Sequence, residues 1–127
     1  MQFERGASIY MQISEYVYSQ VLSGAWEPDE RIPSVRELAV ELEVNPNTVL
    51  RSYNMLQDEG VIYNRRGIGY FVAEDGMNAA REKKLQQLRE RELPELFERL
   101  RLVGFTAGEL AEAYKGYLKT RREEKRA

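Results

Sequence analysis

Residues 34–60 read SVRELAVELEVNPNTVLRSYNMLQDEG, and this stretch decides the fold of the chain. Ser34 and Glu37 have the spacing of a capping box, in which each side chain accepts a bond from the other residue's backbone N–H, so a helix begins here. Asn45 is a favourable N-cap and Pro46 suits a first helical position, so the next helix follows after a turn of at most three residues. Two helices joined by so short a turn indicate a helix-turn-helix.

The flanking segments complete a winged helix. Upstream, residues 9–22 carry apolar side chains every four positions and predict an amphipathic helix. Downstream, the β-prone runs 61–63 and 70–72 enclose a loop whose tip carries Arg65 and Arg66, which predicts a hairpin. We therefore predict a mainly α fold with a small β-hairpin, a winged helix-turn-helix followed by a C-terminal helical tail.

A change in composition near residue 74 marks the expected domain boundary. Residues 1–73 have more acidic than basic side chains, and no lysine occurs before Lys83. We predict a DNA-binding domain over residues 1–75 and a helical dimerisation region over residues 76–127. We expect the charged end of the tail, residues 121–126, to be frayed.

The tail carries more apolar side chains than two short helices can bury alone. Pro94 opens one predicted helix, and Thr106 with Glu109 forms a capping box for the last one. We favour subunit pairing over a ligand pocket for this apolar set. Its members are Leu96, Phe97, Leu100, Tyr114, Tyr117 and Leu118.

Composition excludes several classes of protein. Cysteine and histidine are both absent from the 127 residues, so disulfides, thiolate nucleophiles, Cys- or His-ligated zinc and the commonest general base are excluded. No apolar run is long enough to span a membrane, and the N-terminus lacks the apolar segment of a signal peptide. We therefore predict no enzyme activity, no metal site and no cofactor, and we expect a cytoplasmic chain that does not bind membranes.

Five motifs resemble the DNA-binding domain of the GntR family of transcription regulators. They are SIYMQI at 8–13, IPSVRELA at 32–39, VNPNTV at 44–49, EGVI at 59–62 and RGIGYFV at 66–72. The NPNTV run and the short helical tail are similar to the YtrA-like branch, whose C-terminal helices are used for dimerisation. Two positions depart from the family pattern. Leu50 stands where many relatives have an arginine that reads a base, and Asp29 stands in a turn where many have glycine.

The resemblance implies where this chain would touch DNA. The second helix of the motif should enter the major groove by its N-terminal end, and the hairpin tip should meet the minor groove, where a glycine lets the backbone approach. Arg51 could partly replace the base-reading arginine. The predicted DNA-binding residues are Arg36, Asn45, Asn47, Thr48, Arg51, Arg65, Arg66 and Gly67.

Each candidate also has a purely structural interpretation. Arg36 could pair with a nearby carboxylate, Asn45 could serve only as a helix cap, and Asn47 and Thr48 could be ordinary surface residues. The arginines of the hairpin could serve solubility. We expect three tyrosines to be packing residues rather than stacking surfaces for bases: Tyr10, Tyr16 and Tyr53.

We predict a dimeric transcription regulator, a repressor, that binds a palindromic operator in double-stranded DNA. The formal net charge of −2 argues against DNA binding, but affinity depends on the charge presented to phosphate rather than on the sum. Because one subunit would present few arginines, we expect a homodimer. A small-molecule effector could alter the spacing of the two heads, although the sequence names none. The alternatives are a winged-helix protein-interaction module without DNA binding and, less favoured, a small enzyme.

Overall fold

The computed structural model describes residues 8–126 and divides the chain into two compact units, one up to Leu85 and one from Gln86 onward. The predicted order of helix, helix, helix and hairpin is confirmed. The elements of the chain are α1 (Ile9–Leu22), α2 (Val35–Leu42), α3 (Pro46–Asp58), β1 (Ile62–Arg65), β2 (Gly69–Val72), α4 (Gly76–Gln87), a π-helical segment (Leu88–Glu92), α5 (Leu93–Leu102) and α6 (Ala107–Arg126).

The caps of α2 and α3 form as predicted. The Ser34 hydroxyl accepts the Glu37 N–H at 3.1 Å, and the Glu37 carboxylate accepts the Ser34 N–H at 3.0 Å. Asn45 caps α3 through a 2.8 Å bond from the Asn47 N–H. Glu43 ends α2 in the left-handed region with φ of 57°, and this reversal lets the chain turn within three residues.

One hydrophobic core lies between the first three helices and the hairpin. Tyr53 lies inside it and donates a 2.7 Å bond to the Pro33 carbonyl, which satisfies the buried hydroxyl. Its burial confirms the packing role expected for this tyrosine. The core residues are Ile13, Val17, Tyr18, Val21, Trp26, Ile32, Leu38, Ala39, Leu42, Val49, Tyr53, Leu56, Val61, Ile62, Val72 and Ala80.

The hairpin is antiparallel, with Ile62 opposite Val72 and Arg65 opposite Gly69. Its second strand is also paired on its other side by residues 29–32. The Ile32 N–H donates to the Tyr70 carbonyl at 2.9 Å, and further backbone bonds join Asp29 and Glu30 to Val72. The sequence predicts only a turn at Asp29, because so short a paired segment has no alternating pattern of its own.

Helix α4 packs with the first unit. Ala80 is fully buried, and a Cβ on Gly76 would lie 2.5 Å from the Val61 carbonyl oxygen, so only glycine allows this approach. Lys83 lies 3.6 Å from the Glu59 carboxylate. The compact unit therefore extends beyond residue 75, while the functional division at 75 stays a prediction.

The tail is helical, as predicted, but its breaks differ. The turn before Pro94 is π-helical, with the Leu93 N–H bonded to the Leu88 carbonyl. Proline would clash with the carbonyl four residues earlier, and a wider turn relieves that clash. Thr106 and Glu109 form the predicted capping box, with both bonds at 3.1 Å. Helix α6 runs to Arg126, so residues 121–126 are helical, and fraying of this end stays a prediction.

Candidate nucleic-acid interface

Helix α3 presents a polar face and buries the opposite one. The buried side packs into the core through Val49, Ser52, Tyr53 and Leu56. Between Pro46 and Gln57, which are also exposed, the exposed side chains recur at the spacing of one helical face, and they are Asn47, Leu50, Arg51 and Asn54. Asn54 was missed by the sequence analysis, although its helical spacing from Asn47 and Leu50 could have revealed it.

The start of α3 combines a cap with candidate base-reading side chains. The side-chain Oδ1 of Asn45 accepts a bond from the Asn47 N–H, so the capping role of Asn45 is confirmed. The Asn47 side chain is exposed, whereas Thr48 is half-buried. A helix N-terminus carries partial positive charge and favours phosphate. Contacts of these three residues with DNA stay a prediction.

Arg51 is held by an aromatic ring. Its guanidinium carbon lies 3.8 Å from the ring centroid of Tyr10, at the start of α1. This is the geometry of a cation–π contact, and it keeps the guanidinium charge at the surface while fixing its direction. Tyr10 is half-buried, so it is a packing residue, as expected, with Arg51 covering it.

Arg36 lies exposed in the first turn of α2. Within residues 8–126, no carboxylate comes within ion-pair distance of its guanidinium. Its side chain lines a shallow groove together with Val40, Val44 and Pro46, which places it beside the start of α3. The alternative that Arg36 is the partner of a surface carboxylate is therefore not supported by the geometry.

The hairpin tip is a tight turn closed by a 2.9 Å bond from the Ile68 N–H to the Arg65 carbonyl. Gly67 has φ of 78°, a left-handed conformation that glycine adopts without steric strain because it has no Cβ. A Cβ there would meet nothing within 4 Å, so the protein itself leaves room for it. Arg66 is exposed at the tip, and the Arg65 guanidinium lies 5.7 Å from the Phe71 ring centroid.

A third cation at the hairpin, besides Arg65 and Arg66, was not predicted from the sequence. Arg31 forms a β-bridge with Phe71, and its Nε would lie 3.0 Å from a Cβ built on Gly69. Its guanidinium therefore lies beside β2 near the hairpin tip, because Gly69 is paired with Arg65 at the end of the strands where the turn begins. Nothing in the local sequence indicates this position, because it results from pairing with a strand far along the chain.

The tail leaves its apolar residues uncovered in a single chain. No residue of the π-helical segment, α5 or α6 is buried. Leu96 and Leu100 are half-buried, and two apolar residues beyond the predicted set, Leu102 and Val103, are 69% and 77% exposed. The other four predicted dimerisation residues are exposed, and they are Phe97, Tyr114, Tyr117 and Leu118.

Comparison with known proteins decides the family. The profile described as "Bacterial regulatory proteins, gntR family" matches residues 9–72, which spans the three helices and the hairpin. The chain belongs to the gntR family. The HTH-type transcriptional regulator YhcF of Bacillus subtilis (strain 168) is 33% identical over 117 residues, 91% of this chain and 94% of YhcF. The HTH-type transcriptional repressor YtrA of the same strain is 38% identical over 82 residues, 65% of this chain and 63% of YtrA.

Solved structures agree with this gntR-family assignment. A GntR family transcriptional regulator from Listeria monocytogenes has a TM-score of 0.76 and 30% identity, covering 90% of this chain and 98% of that one. The AraR DNA-binding domain in complex with operator ORX1 has a TM-score of 0.52 and 30% identity, covering 57% of this chain and 93% of that one. The chain is therefore a DNA-binding transcription regulator of the YtrA-like branch, as the motifs predicted, and not an enzyme.

The structure also bears on metal binding and on membrane spanning. Among residues 8–126, no cluster of three or more acidic side chains is arranged to hold a metal ion. None of the helices in that part of the chain is both long and apolar enough to cross a membrane.

Proposed function

We propose that this chain is a homodimeric repressor that binds an inverted-repeat operator. In each subunit, α3 lies in the major groove and the hairpin tip reaches the neighbouring minor groove. The main support for a dimer comes from the tail, because α5 and α6 are amphipathic yet bury no residue. Short helices without a buried face are marginal in water, so a partner surface must supply the core they lack.

A second copy of the chain is the partner that the tail favours. The exposed apolar side chains Phe97, Tyr114 and Leu118 are each worth about 1.5–3 kcal/mol when buried. A two-fold axis would double each such contact, because the same surface then faces itself. A two-fold protein dimer in turn requires two half-sites of opposite orientation, which is an inverted repeat.

The charges of the first unit support a phosphate-binding role. Arg36 and Arg51 lie on α2 and α3, Arg65 and Arg66 lie on the hairpin, and Arg31 lies beside β2 near the hairpin tip. Affinity for DNA rises with the number of phosphates neutralised, so doubling this set in a dimer compensates for the acidic remainder of the chain. We propose that Arg36 contacts the sugar-phosphate backbone of the DNA and that Arg66 enters the minor groove. The negative potential of the minor groove is greatest where the groove is narrow.

The start of α3 is proposed to read bases. Asn47 and Thr48 lie in the first turn, the part of a recognition helix that meets base edges. An asparagine can pair with adenine through two hydrogen bonds, and threonine can bond to either kind of base. Asn45 orders this turn by capping it. Gly67 permits the tip of the hairpin to lie against the groove wall.

Repression is inferred from the relative YtrA, whose name describes a repressor. A dimer on its operator would exclude other proteins from the same DNA. An effector that alters the separation of the two subunits would release the dimer from its operator. The division into a DNA-binding domain at 1–75 and a dimerisation region at 76–127 is part of this proposal.

Two substitutions on the tail test the dimer. Tyr114→Glu and Leu118→Glu put charge into the proposed interface, whereas Lys119→Glu puts the same residue on the opposite side of α6. In sedimentation at micromolar concentration, we expect the native chain and Lys119→Glu to be dimers and the other two variants to be monomers. A native chain that sediments as a monomer would contradict the proposal.

Selection of bound duplexes from a random pool tests the DNA target. The native chain should enrich a palindrome with two half-sites, and the monomeric variants should bind it far more weakly. If the dimer forms but no sequence is enriched, the chain is better described as a protein-interaction module.

A further inference from the structure

Beyond Pro46 at its first position, the outward face of α3 contains one apolar side chain among polar ones. Leu50 is 40% exposed and lies one helical turn beyond Asn47 and one turn before Asn54, both exposed and polar. It does not belong to the core, which α3 contacts through its opposite face. Leu50 therefore occupies the centre of the surface that the proposed function places against the bases.

Arg51, the neighbour of Leu50, is directed elsewhere. Its guanidinium lies over the Tyr10 ring of α1 at 3.8 Å. A side chain held against α1 cannot at the same time extend straight out from α3. The outermost part of the α3 surface is therefore left to Leu50 and the two asparagines.

The chemistry of the major groove restricts what a leucine can recognise there. Each base edge presents hydrogen-bond donors and acceptors, which leucine cannot satisfy. The apolar group that the groove offers is the C5-methyl of thymine. A leucine packed on cytosine or guanine would leave their polar edges without partners, so these bases are disfavoured.

We propose that Leu50 is a specificity-determining residue that selects thymine in each operator half-site through contact with the C5-methyl group. This inference rests on the proposed function, because it requires that α3 enter the major groove. It adds a base identity that the polar residues of the helix do not determine.

Deoxyuridine substitution tests the contact directly. Deoxyuridine differs from thymidine only by lacking the methyl group, so base pairing and all hydrogen-bonding edges are retained. Each thymine of the operator selected by the native full-length chain is replaced in turn, and the dissociation constant is measured. At one position of the half-site, we expect binding to weaken about fourfold, which corresponds to about 0.8 kcal/mol for one methyl-sized group.

The variant Leu50→Ala tests whether Leu50 is the side chain that contacts the thymine methyl group. It should bind the thymine and deoxyuridine operators about equally, since the partner of the methyl is gone. Leu50→Met keeps an apolar side chain and should keep the discrimination. Because Leu50 lies on the surface, both variants should retain the native thermal melting temperature, which shows that they fold.

A change of specificity gives a second measurement. Arginine can bond to O6 and N7 of guanine, so Leu50→Arg should enrich guanine at the position where the native chain enriches thymine. The outcomes are distinct. If no operator is selected at all, the proposed function fails. If an operator is selected but no deoxyuridine weakens binding, or if Leu50→Ala discriminates as the native chain does, the proposed role of Leu50 is wrong.

Discussion

The hydroxyl oxygens of Ser14 and Ser52 lie 2.7 Å apart in the interior and join α1 to α3. Ser14 also donates its proton to the Tyr10 carbonyl at 3.0 Å, so Ser52 must be the donor in the bond between the two serines. Both side chains are buried, with exposures of 1% and 0%. The candidate recognition helix is thus fixed to α1 by a directional contact as well as by apolar packing.

The two buried serines should be energetically coupled. Ser14→Ala leaves the buried Ser52 hydroxyl without its partner, so we expect the free energy of unfolding to fall by about 1–3 kcal/mol. The double variant Ser14→Ala with Ser52→Ala should lose less than the sum of the two single losses. Urea unfolding of the four proteins measures the cycle, and simple additivity would show that the two serines are not coupled.

The left-handed residue at the end of α2 offers a stabilising substitution. Glu43 has φ of 57°, and a Cβ in that region costs roughly 1–2 kcal/mol. Glu43→Gly should raise the free energy of unfolding by about 0.5–1 kcal/mol after the greater freedom of glycine in the unfolded chain is subtracted. Gln57→Gly, at an exposed helical position of α3, should lower it. Chemical denaturation in which both glycines destabilise equally would refute this account of the α2 end.

The capping box should make stability sensitive to acid. Hydrogen bonds from the Ser34 backbone and hydroxyl are the main cause that holds the pKa of the Glu37 carboxyl below its ordinary value. Because the pKa of Glu37 is lower in the folded chain than in the unfolded chain, its ionised carboxylate stabilises the fold at pH values above the unfolded pKa of about 4.3. This stabilisation is lost as the pH falls through the pKa of the folded state. Glu37→Gln should therefore be less stable than the native chain at pH 7, with the difference vanishing in acid. A difference that does not change with pH would contradict this.

Base reading by the α3 start is tested with Asn47→Ala. Loss of a good base contact should cost about 1–3 kcal/mol on the preferred site and relax the preference at one position. Gln57→Ala, near the other end of the helix, serves as the matched control and should leave the selected consensus unchanged. Selection from a random pool makes the comparison. If Asn47→Ala returned the native consensus with native affinity, Asn47 would be only a surface residue.

The hairpin tip is tested by the salt dependence of binding. Arg66→Ala should weaken binding to all sequences and reduce the slope of log K against log salt by about one per subunit. Arg99→Ala removes the same charge from α5 and should leave the slope unchanged. Equal slopes for the native chain and Arg66→Ala would show that this side chain does not neutralise DNA charge.

Gly67 separates shape from charge at the same tip. Gly67→Val forces a β-branched residue into a left-handed conformation and should weaken binding while the arginines stay in place. Asparagine tolerates the left-handed conformation, so Gly67→Asn should keep the turn. This variant therefore shows how an added side chain alone affects binding at the groove. Affinity for one operator duplex at several salt concentrations measures both. Native affinity for Gly67→Val would mean that the tip does not approach DNA.

Much of the helical framework could be predicted because its signals are local. A capping box joins residues three apart, so Ser34 with Glu37 and Thr106 with Glu109 indicate helix starts without knowledge of the fold. Asn45 before a proline does the same for α3. These signals located α2, α3 and α6, and the family motifs then supplied the winged-helix topology.

Other features escaped prediction because they depend on distant parts of the chain. The pairing of residues 29–32 with β2 exists only when the hairpin is already in place. Helix α4 has only two large apolar side chains, Met77 and Leu85, and its place in the first unit follows from the buried Ala80 and the close approach of Gly76 to Val61. No periodic pattern carries that information.

The sequence by itself determined the family, the order of the elements and the residue types at the candidate interface, because all of these are written in short motifs with fixed spacing. Only the tertiary structure decided how those side chains are presented. It put Arg51 on the Tyr10 ring, Arg31 beside Gly69 near the hairpin tip, and Leu50 at the centre of the exposed α3 face. The physical reason is that the direction and exposure of a side chain depend on which surfaces its element buries, and those surfaces are supplied by residues far away in the chain.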